Sequence, residues 1–161
     1  MEKLGGKAFF IDRDNVNTDE IIPAKYLTYI EKEPLKPHLL EDLKMKGFNG
    51  NDQDWTQYKA IVSRKNFGSG SSREMAVWAF EVNDIELIVA SNFARIFREN
   101  CFNNGLLAIE LGEEKIEEIF QKFGEMDGVH VKADVEEMKL TFTADGQEIV
   151  HDFPLGDFQK D

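Results

Sequence analysis

The residue types best suited to chemistry in this sequence lie in one stretch, residues 66–74 (NFGSGSSRE). Its two glycines let the backbone approach a ligand closely, and its three serine hydroxyls can donate or accept hydrogen bonds. Arg73 adds a planar guanidinium, which matches a carboxylate or a phosphate through two parallel hydrogen bonds. Ser71 and Glu74 fit the Ser-x-x-Glu capping box, which predicts a helix N-terminus at the end of the loop. The stretch therefore predicts a site for a small anion.

The distribution of charge favours the same kind of ligand. The chain has 19 Lys and Arg against 31 Asp and Glu, a net charge of -12. Residues 55–73 nevertheless contain no acid and four cationic side chains, Lys59, Arg64, Lys65 and Arg73. Such a local excess concentrates a small anion, whereas the acidic remainder of the chain repels a polyanion such as nucleic acid.

The known phosphate-loop patterns do not match this stretch. No Gly-Lys-Ser/Thr follows, and Arg73 stands where the dinucleotide-binding pattern has its third glycine. The nucleophile-elbow spacing Gly-x-Ser-x-Gly is also missing from it. The residues alone leave two interpretations open. One is an anion site, and the other is a loop whose glycines turn the chain, whose serines cap a helix and whose Arg73 is solvated.

Alternating strand and helix patterns flank this loop and must position it. Buried strands are predicted at residues 7–11, 58–63, 86–90 and 106–111, and helices at 75–82, 93–100 and 113–123. Pro37 and the leucines after it predict a further short helix that ends before Gly47. Three more strands follow residue 128, the last two joined by Asp145-Gly146 as a hairpin turn. The alternation predicts an α/β fold that contains parallel strands.

Length and composition limit the class of protein. The 161 residues, 42% of them apolar, fit one domain with its own core. No apolar run reaches the roughly 18 residues of a membrane span and the N-terminus has no signal-peptide pattern, so we expect a cytoplasmic protein. A lone cysteine, Cys101, cannot supply the thiolates of an iron–sulfur cluster. His38, His130 and His151 are too far apart in sequence to form a metal-ligand pattern.

Three sequence blocks occur in a fixed order over residues 7 to about 111. NTDEIIPAKYL at residues 17–27 precedes the 66–74 block, and FARIF at 93–97 with NGLL at 104–107 follows it. Together they resemble the small subunits of 3-isopropylmalate dehydratases, the separately encoded swivel domains of the aconitase family. The resemblance implies an α/β, swivelling β/β/α-type single domain over residues 1–161. Its expected architecture is a mixed sheet or partly closed barrel flanked by helices.

The resemblance also implies a division of labour between two chains. This chain would be a catalytic subunit, inactive alone, of a hydro-lyase that isomerises 2- and 3-isopropylmalate by dehydration and rehydration in leucine biosynthesis. A larger partner chain would carry a [4Fe-4S] cluster whose open iron acts as a Lewis acid, and this chain would hold no metal or other cofactor. A nucleic-acid or membrane partner is not expected. A homo-oligomer of the isolated subunit is compatible with the resemblance.

Residue roles follow by position in the matching blocks. Ser71 would be the base that takes a proton from carbon, its alkoxide stabilised by Arg73 and by nearby N–H groups. Arg73 would also clamp a substrate carboxylate, and Asp19 would orient the group, although turn capping is an alternative role for Asp19. The implied substrate-binding residues are Ser72, Ser69, Gly70, Tyr26, Leu27 and Thr28.

The loop after Tyr26-Leu27 is where this family distinguishes substrates. Relatives that take a longer tricarboxylate place an arginine there, whereas this chain has Thr28-Tyr29-Ile30, which predicts an apolar branch on the substrate. The alternatives are citraconate or 2-methylmalate, dimethylmaleate, homoaconitate, and a non-catalytic dicarboxylate-binding module.

The chain departs from the family's usual residues at four positions. The family often has Cys, His, Pro and Ser where this chain has Ser69, Met75, Val77 and Asn92. We expect Met75 and Val77 to alter packing rather than the reaction, and Asn92 to cap a helix as serine would. Two arginines in the third block, Arg95 and Arg98, are candidates to face either the substrate or the partner chain.

Overall fold

The computed structural model describes residues 3–26, 28–71 and 73–154. Its strands are β1 Lys3–Phe10, β2 Ala60–Val62, β3 Leu87–Ala90, β4 Leu107–Glu110, β5 His130–Asp134, β6 Lys139–Ala144 and β7 Gln147–Asp152. Its α-helices are α1 Thr18–Ile21, α2 Glu74–Glu81, α3 Arg95–Asn103 and α4 Glu113–Phe123. Short 3₁₀ helices occupy Ala24–Tyr26, Glu33–His38, Gly50–Asp52 and Trp55–Gln57.

The strands form one mixed sheet in the order β4-β3-β2-β1-β5-β6-β7. Strands β1 to β4 run parallel to one another, and β5, β6 and β7 are antiparallel to their neighbours. Helices α2 and α3 each connect two parallel strands, as a parallel pair requires. The predicted α/β fold with a mixed sheet is confirmed.

Strand β1 joins the two halves of the sheet. Its residues 3–7 pair with β5, and its residues 8–10 pair with β2. Gly5 has φ +118°, and a Cβ atom there would lie 2.1 Å from the carbonyl oxygen of Val131. The close approach of β1 to β5 therefore requires glycine at this position.

Two apolar clusters cover the two faces of the sheet. Every residue of β2 and β3 is buried, which is typical of parallel strands covered on both sides. Because side chains alternate along a strand, Ile61 and Ile88 belong to one cluster while Val62 and Val89 belong to the other. The first cluster includes α2 and α3, and the second includes α4 and the antiparallel strands.

The elements with the strongest sequence patterns lie where they were predicted. Helix α4 has the predicted bounds and buries one apolar stripe. Asp145 and Gly146 join β6 to β7 with φ +55° and +77°, the two positive angles of a type I′ hairpin turn. In the part of the chain described, no helix is long and apolar enough to cross a membrane. The cytoplasmic location stays a prediction.

The predicted short helix from Pro37 onward is wrong. The structure has a 3₁₀ helix at Glu33–His38 instead, and Leu40 has φ +56°, which a continuing α-helix does not allow. The break lets Leu39, Leu40 and Leu43 all enter the first apolar cluster. Burial of these leucines outweighs their helix propensity.

Candidate active site

Three loops leave the sheet at the same edge. Strands β1, β2 and β3 are adjacent and parallel, so their carboxyl ends lie side by side. The loops that follow them are residues 11–17, 63–73 and 91–94. In open parallel sheets, ligands bind outside the carboxyl ends of the strands. The three blocks of the sequence thereby meet in space.

Backbone hydrogen bonds fasten the first loop to the second. The amide of Thr18 donates to the carbonyl of Ser69 at 2.8 Å, and that of Gly68 donates to Val16 at 2.7 Å. The buried hydroxyl of Thr18 donates to the carbonyl of Ser71 at 2.9 Å. The backbone on both sides of Gly70 is therefore held by the chain segment that carries Asp19.

The third loop is packed just as closely against the second. The amide of Ala94 donates to Phe67 at 2.9 Å, and the amide of Phe67 donates to Asn92 at 3.1 Å. Gly68 has φ +86°, and a Cβ atom there would lie 2.2 Å from Cγ of Phe97. Only glycine allows α3 to pack this close to the loop.

The three loops surround a cleft of about 360 Å³. This volume suits a small molecule. The first and second loops contribute Thr18, Gly68, Gly70 and Arg73, and the start of α3 contributes Ala94, Arg95, Ile96 and Phe97. Two guanidinium groups thus belong to one cleft in a chain of net charge -12. The cleft is suited to a small molecule that carries negative charge.

Arg73 and Asp19 form a close ion pair at this cleft. An Nη1 hydrogen of Arg73 is donated to Oδ1 of Asp19. The Arg73 side chain is only 18% exposed, whereas that of Asp19 is 63% exposed. The pair holds the guanidinium in place and leaves its remaining donors for a ligand, since a guanidinium has five N–H groups.

A capping box fixes the helix that presents Asp19. The amide of Glu20 donates to Oδ1 of Asn17 at 2.9 Å, and the amide of Asn17 donates to the Glu20 carboxylate at 3.3 Å. That carboxylate also accepts from Arg13 at 2.8 and 3.1 Å and from the amide of Lys44. Burial alone would raise the pKa of Glu20, but the hydrogen bonds from Arg13 and from backbone amides outweigh burial and lower the pKa. A charged Glu20 therefore anchors α1.

The structure brings some of the predicted site residues together. Asp19 and Arg73 are in contact and Gly70 lines the cleft. Ser71 is exposed between Gly70 and Arg73, and Ser69 is half-buried in the same loop. These placements agree with one site, while the roles of the residues stay predictions.

Other predicted site residues lie elsewhere or outside the described residues. The hydroxyl of Tyr26 donates to Glu41, and Thr28 is exposed in the loop that follows. Neither residue lines the cleft. Ser72 and Leu27 lie outside the residues that the structure describes.

Two predicted helix caps are wrong. Helix α2 begins at Glu74 with Arg73 as its extended N-cap residue, and no side chain caps it. The carbonyl of Ser71 accepts from the hydroxyl of Thr18, Arg73 has an extended backbone, and the carboxylate of Glu74 accepts from Asn104 instead. Asn92 does not cap α3 either, since its side-chain oxygen accepts from the amide of Asn66 at 2.7 Å.

Thr18 belongs to the cleft but had no assigned role from the sequence, and Arg95 was predicted to face either the substrate or the partner chain. Arg95 lines the cleft, whereas the guanidinium of Arg98 turns to Glu110 at 3.4 Å. Their position in the predicted topology could have indicated a place in the site. Both residues follow the carboxyl end of a strand predicted to be buried, where ligand-binding residues gather.

The described residues contain no cluster of three or more His, Cys, Asp or Glu that could hold a metal ion. Cys101 is fully buried, and burial raises the pKa of its thiol, with Arg98 opposing the shift weakly. A buried neutral thiol is a packing residue rather than a metal ligand or nucleophile. An iron–sulfur cluster does not fit these residues.

Comparison with protein families assigns this architecture to a known group. The family model of the aconitase C-terminal domain matches residues 1–114, which include all three loops of the site. The chain belongs to the aconitase C-terminal domain family. The resemblance seen in the three sequence blocks is confirmed.

The similar curated proteins belong to one branch of that family. The chain is 36% identical over 147 residues to the 3-isopropylmalate dehydratase small subunit of Leptospira interrogans, covering 86% of this chain and 71% of the relative. It is 38% identical over 153 residues to the protein of the same name from Rhodopirellula baltica, covering 90% and 76%.

Solved structures agree with this relationship. A 3-isopropylmalate dehydratase from Methanocaldococcus jannaschii superposes with a TM-score of 0.75 at 28% identity, covering 98% of this chain and 86% of the other. Aconitase X from Thermococcus kodakaraensis shares the fold, with a TM-score of 0.58 at 12% identity, covering 89% and 92%.

Proposed function

We propose that this chain is the small subunit of a hydro-lyase that isomerises 2- and 3-isopropylmalate in leucine biosynthesis. The relatives at 36% and 38% identity carry the name of that enzyme's small subunit. The structural observation that carries the proposal is the Arg73–Asp19 pair at a cleft, next to an exposed Ser71. We propose further that residues 1–161 act as one swivel domain.

In this proposal Ser71 takes the proton from the carbon next to the hydroxyl-bearing carbon of the substrate. A serine hydroxyl is a weak acid, so its alkoxide needs strong local stabilisation. Arg73 supplies positive charge two residues away, and the first turn of α2 has no side-chain cap that would occupy its N–H groups. Both features favour the alkoxide over the alcohol.

Arg73 has a second role as the clamp for one substrate carboxylate. Its ion pair with Asp19 uses one Nη, which leaves the guanidinium free to accept a second anion on its other donors. Asp19 thereby sets the orientation of the guanidinium before the substrate arrives. Ser72, Ser69 and Gly70 would hydrogen-bond the substrate from the same loop.

A branched malate has a second carboxylate, for which Arg95 is the candidate. Arg95 also lines the cleft, at the start of α3. Its side chain is 86% exposed, and its guanidinium has an ion pair with Glu99 at 3.5 Å. A weakly paired cation can reorient toward a ligand at little cost.

The iron–sulfur cluster belongs to the partner in this proposal, since the described residues of this chain do not fit one. There it would supply a Lewis acid for the hydroxyl that leaves. The small-subunit names of the relatives imply a large partner subunit. The open side of the cleft, with Arg95 and the half-exposed Ile96, is the surface that we propose this subunit covers.

Two departures from the family pattern lie outside the lining of the cleft. Met75 packs at the edge of the first apolar cluster and Val77 is fully buried within it. Their side chains therefore bear on helix packing, as expected.

The test is reconstitution with a cluster-bearing large subunit. We expect no turnover by either chain alone, and isomerisation of 3-isopropylmalate when the two are mixed under anaerobic conditions. Initial rates should be compared with 2-methylmalate, dimethylmaleate and homoaconitate as substrates. Faster turnover of one of these would reassign the substrate. Absence of any turnover, together with tight dicarboxylate binding by this chain alone, would support the binding module instead.

A further inference from the structure

The carboxylate of Glu110 contacts both ends of one segment that lines the cleft. Glu110 is the last residue of β4, and its Oε2 accepts from the amide of Phe93 at 3.0 Å. Its Oε1 accepts from Nη1 of Arg98 at 3.4 Å. Residues 94–97, which lie between these two partners in the chain, all line the cleft. One side chain of β4 is therefore attached to this segment on both sides.

The start of α3 has no anchor within its own first turn. Its N-cap residue, Ala94, makes no side-chain hydrogen bond to the helix, and the first turn contains no acid. The carboxylate of Glu110 places a negative charge beside this helix start, where the helix dipole favours one. A hydrogen bond to an ionised group is roughly twice as strong as one between neutral groups. Glu110 thus supplies from β4 the anchor that the sequence of α3 lacks.

The same helix start carries Arg95, whose place in the cleft depends on its backbone. The ion pair of Arg95 is with Glu99 of the same helix, at 3.5 Å. That pair moves with α3, so it does not fix Arg95 relative to the other two loops. A group that binds substrate must be held within about 0.5 Å of its working position by supporting contacts. The two contacts of Glu110 give the start of α3 such support.

We propose that Glu110 is a positioning residue, which acts through the start of α3 to place Arg95 for the second carboxylate of the substrate. This role rests on the proposed hydro-lyase activity. Glu110 itself is outside the described lining of the cleft, so its effect passes through the segment that it holds. Ser71 and Arg73 lie on another loop, so the loss of Glu110 should weaken substrate binding and leave the chemical step nearly unchanged.

The first experiment is steady-state kinetics of the reconstituted enzyme with Glu110→Ala. We expect KM for 3-isopropylmalate to rise about two- to fivefold, the range for loss of an exposed ionic contact such as that of Arg95, with kcat nearly unchanged. Glu86→Ala is the matched control. The carboxylate of Glu86 also accepts from a backbone amide, that of Gly5 at 3.0 Å, but Glu86 lies just before β3, at the other end of the parallel strands. This variant should change neither quantity.

The sign of the change in KM separates positioning from simple electrostatics. Glu110 is an acid close to a cleft suited to an anion. If it acted only through its charge, its removal would strengthen anion binding and KM would fall. A rise in KM therefore requires that Glu110 holds a group that binds the substrate.

A double-mutant cycle tests whether that group is Arg95. Effects that pass through one residue are not additive, whereas independent effects are. In an Arg95→Ala background, Glu110→Ala should therefore raise KM no further. A general loss of stability would instead multiply the two changes, because it would act whether or not Arg95 is present.

The third experiment does not depend on activity. Hydrogen exchange of the isolated chain, followed by mass spectrometry, should become about five- to tenfold faster at residues 92–98 in Glu110→Ala, because the amide of Phe93 loses its acceptor. Glu86→Ala should speed exchange around Gly5 instead. Glu110→Gln keeps an acceptor for Phe93 and loses the ion pair with Arg98, so it should show smaller changes in exchange and KM. This variant tests the role even if Glu110→Ala folds poorly.

Three results would overturn the positioning role and leave the proposed function in place. One is an unchanged or lower KM in Glu110→Ala. Another is the same rise in KM with and without Arg95, and the third is wild-type exchange at residues 92–98 in both Glu110 variants. A wild-type pair that turns over no branched malate would overturn the proposed function and this role with it. A pair that prefers 2-methylmalate would reassign only the substrate, and non-additivity measured with 2-methylmalate would support the role, because it too has two carboxylates.

Discussion

The two halves of the sheet differ in where their connections lie. In the parallel half, β1, β2 and β3 all end at one edge, and the loops after them form the cleft. In the antiparallel half, β5, β6 and β7 are joined by turns at alternating ends. Consecutive connections of an antiparallel meander cannot gather at one edge. Only the parallel half can place three sequence blocks around one ligand.

The parallel and antiparallel halves of the sheet also differ in how deeply their strands are buried and in whether the family model matches them. Strands β2 and β3 are buried on both faces, whereas β5 and β6 alternate between buried and more exposed residues, and β7 is mostly exposed. The aconitase family match covers residues 1–114 and so ends before β5. The antiparallel half therefore supports β1 from the side, through the contact at Gly5, without entering the site.

Of the substitutions in the parallel half, Ser71→Ala should lower turnover most. Loss of a general base typically lowers the rate about 10²- to 10⁴-fold, and we expect kcat of the reconstituted enzyme to fall within that range. Binding of the large subunit, measured by analytical ultracentrifugation, should not change, because Ser71 is an exposed residue and alanine removes only its hydroxyl. Ser69→Ala, in the same loop, is the comparison: because Ser69 is proposed only to hydrogen-bond the substrate, its loss should raise KM severalfold and leave kcat nearly unchanged. A Ser71→Ala enzyme with near-normal kcat would remove Ser71 from the mechanism.

Arg73→Lys should have the next largest effect. Lysine keeps the positive charge but cannot pair with Asp19 and a substrate carboxylate through a planar fork. We expect kcat/KM to fall about tenfold to a hundredfold, as expected for a lost hydrogen bond between charged groups. Asp19→Asn should give a smaller loss, because it weakens only the orientation of Arg73. If Asp19→Asn were the more damaging change, Asp19 would have a direct role that the ion pair does not explain.

Replacing one glycine by alanine in each half of the sheet tests most directly whether only the parallel half forms the site. Gly70 in the site loop and Gly146 in the β6–β7 hairpin have φ +94° and +77°. Alanine in this left-handed region is strained by about 1–2 kcal/mol, so both variants should unfold at lower urea concentration. Only Gly70→Ala should also lose turnover, because Gly70 lines the cleft and the strain there bears on the loop that carries Ser71 and Arg73. Loss of activity in folded Gly146→Ala would contradict the division between the halves.

The difference between local patterns and long-range contacts explains which features the sequence predicts. Periodicity and turn residues predicted α4, the hairpin at Asp145-Gly146 and the buried strands, because each is a local pattern. They predicted a capping box between Ser71 and Glu74 because they could not include the hydrogen bond that Ser71 accepts from Thr18, which is 53 residues away in the chain. The helix predicted after Pro37 is wrong for a similar reason, since the burial of its leucines depends on a core formed by distant elements. Contacts across the three loops decide the geometry of the site, and local patterns do not contain them.

Arg95→Ala should have the smallest effect and tests whether the third loop binds substrate at all. An exposed ion pair contributes about 0.2–1 kcal/mol, so KM should rise only about two- to fivefold. The rise should shrink at high ionic strength, because salt screens exposed charges. Lys115→Ala on α4 is the control, since it removes the same charge from a residue that does not line the cleft. An equal rise in both variants would mean that net charge attracts the substrate, whereas a rise confined to Arg95→Ala at low salt would assign the second carboxylate to the start of α3.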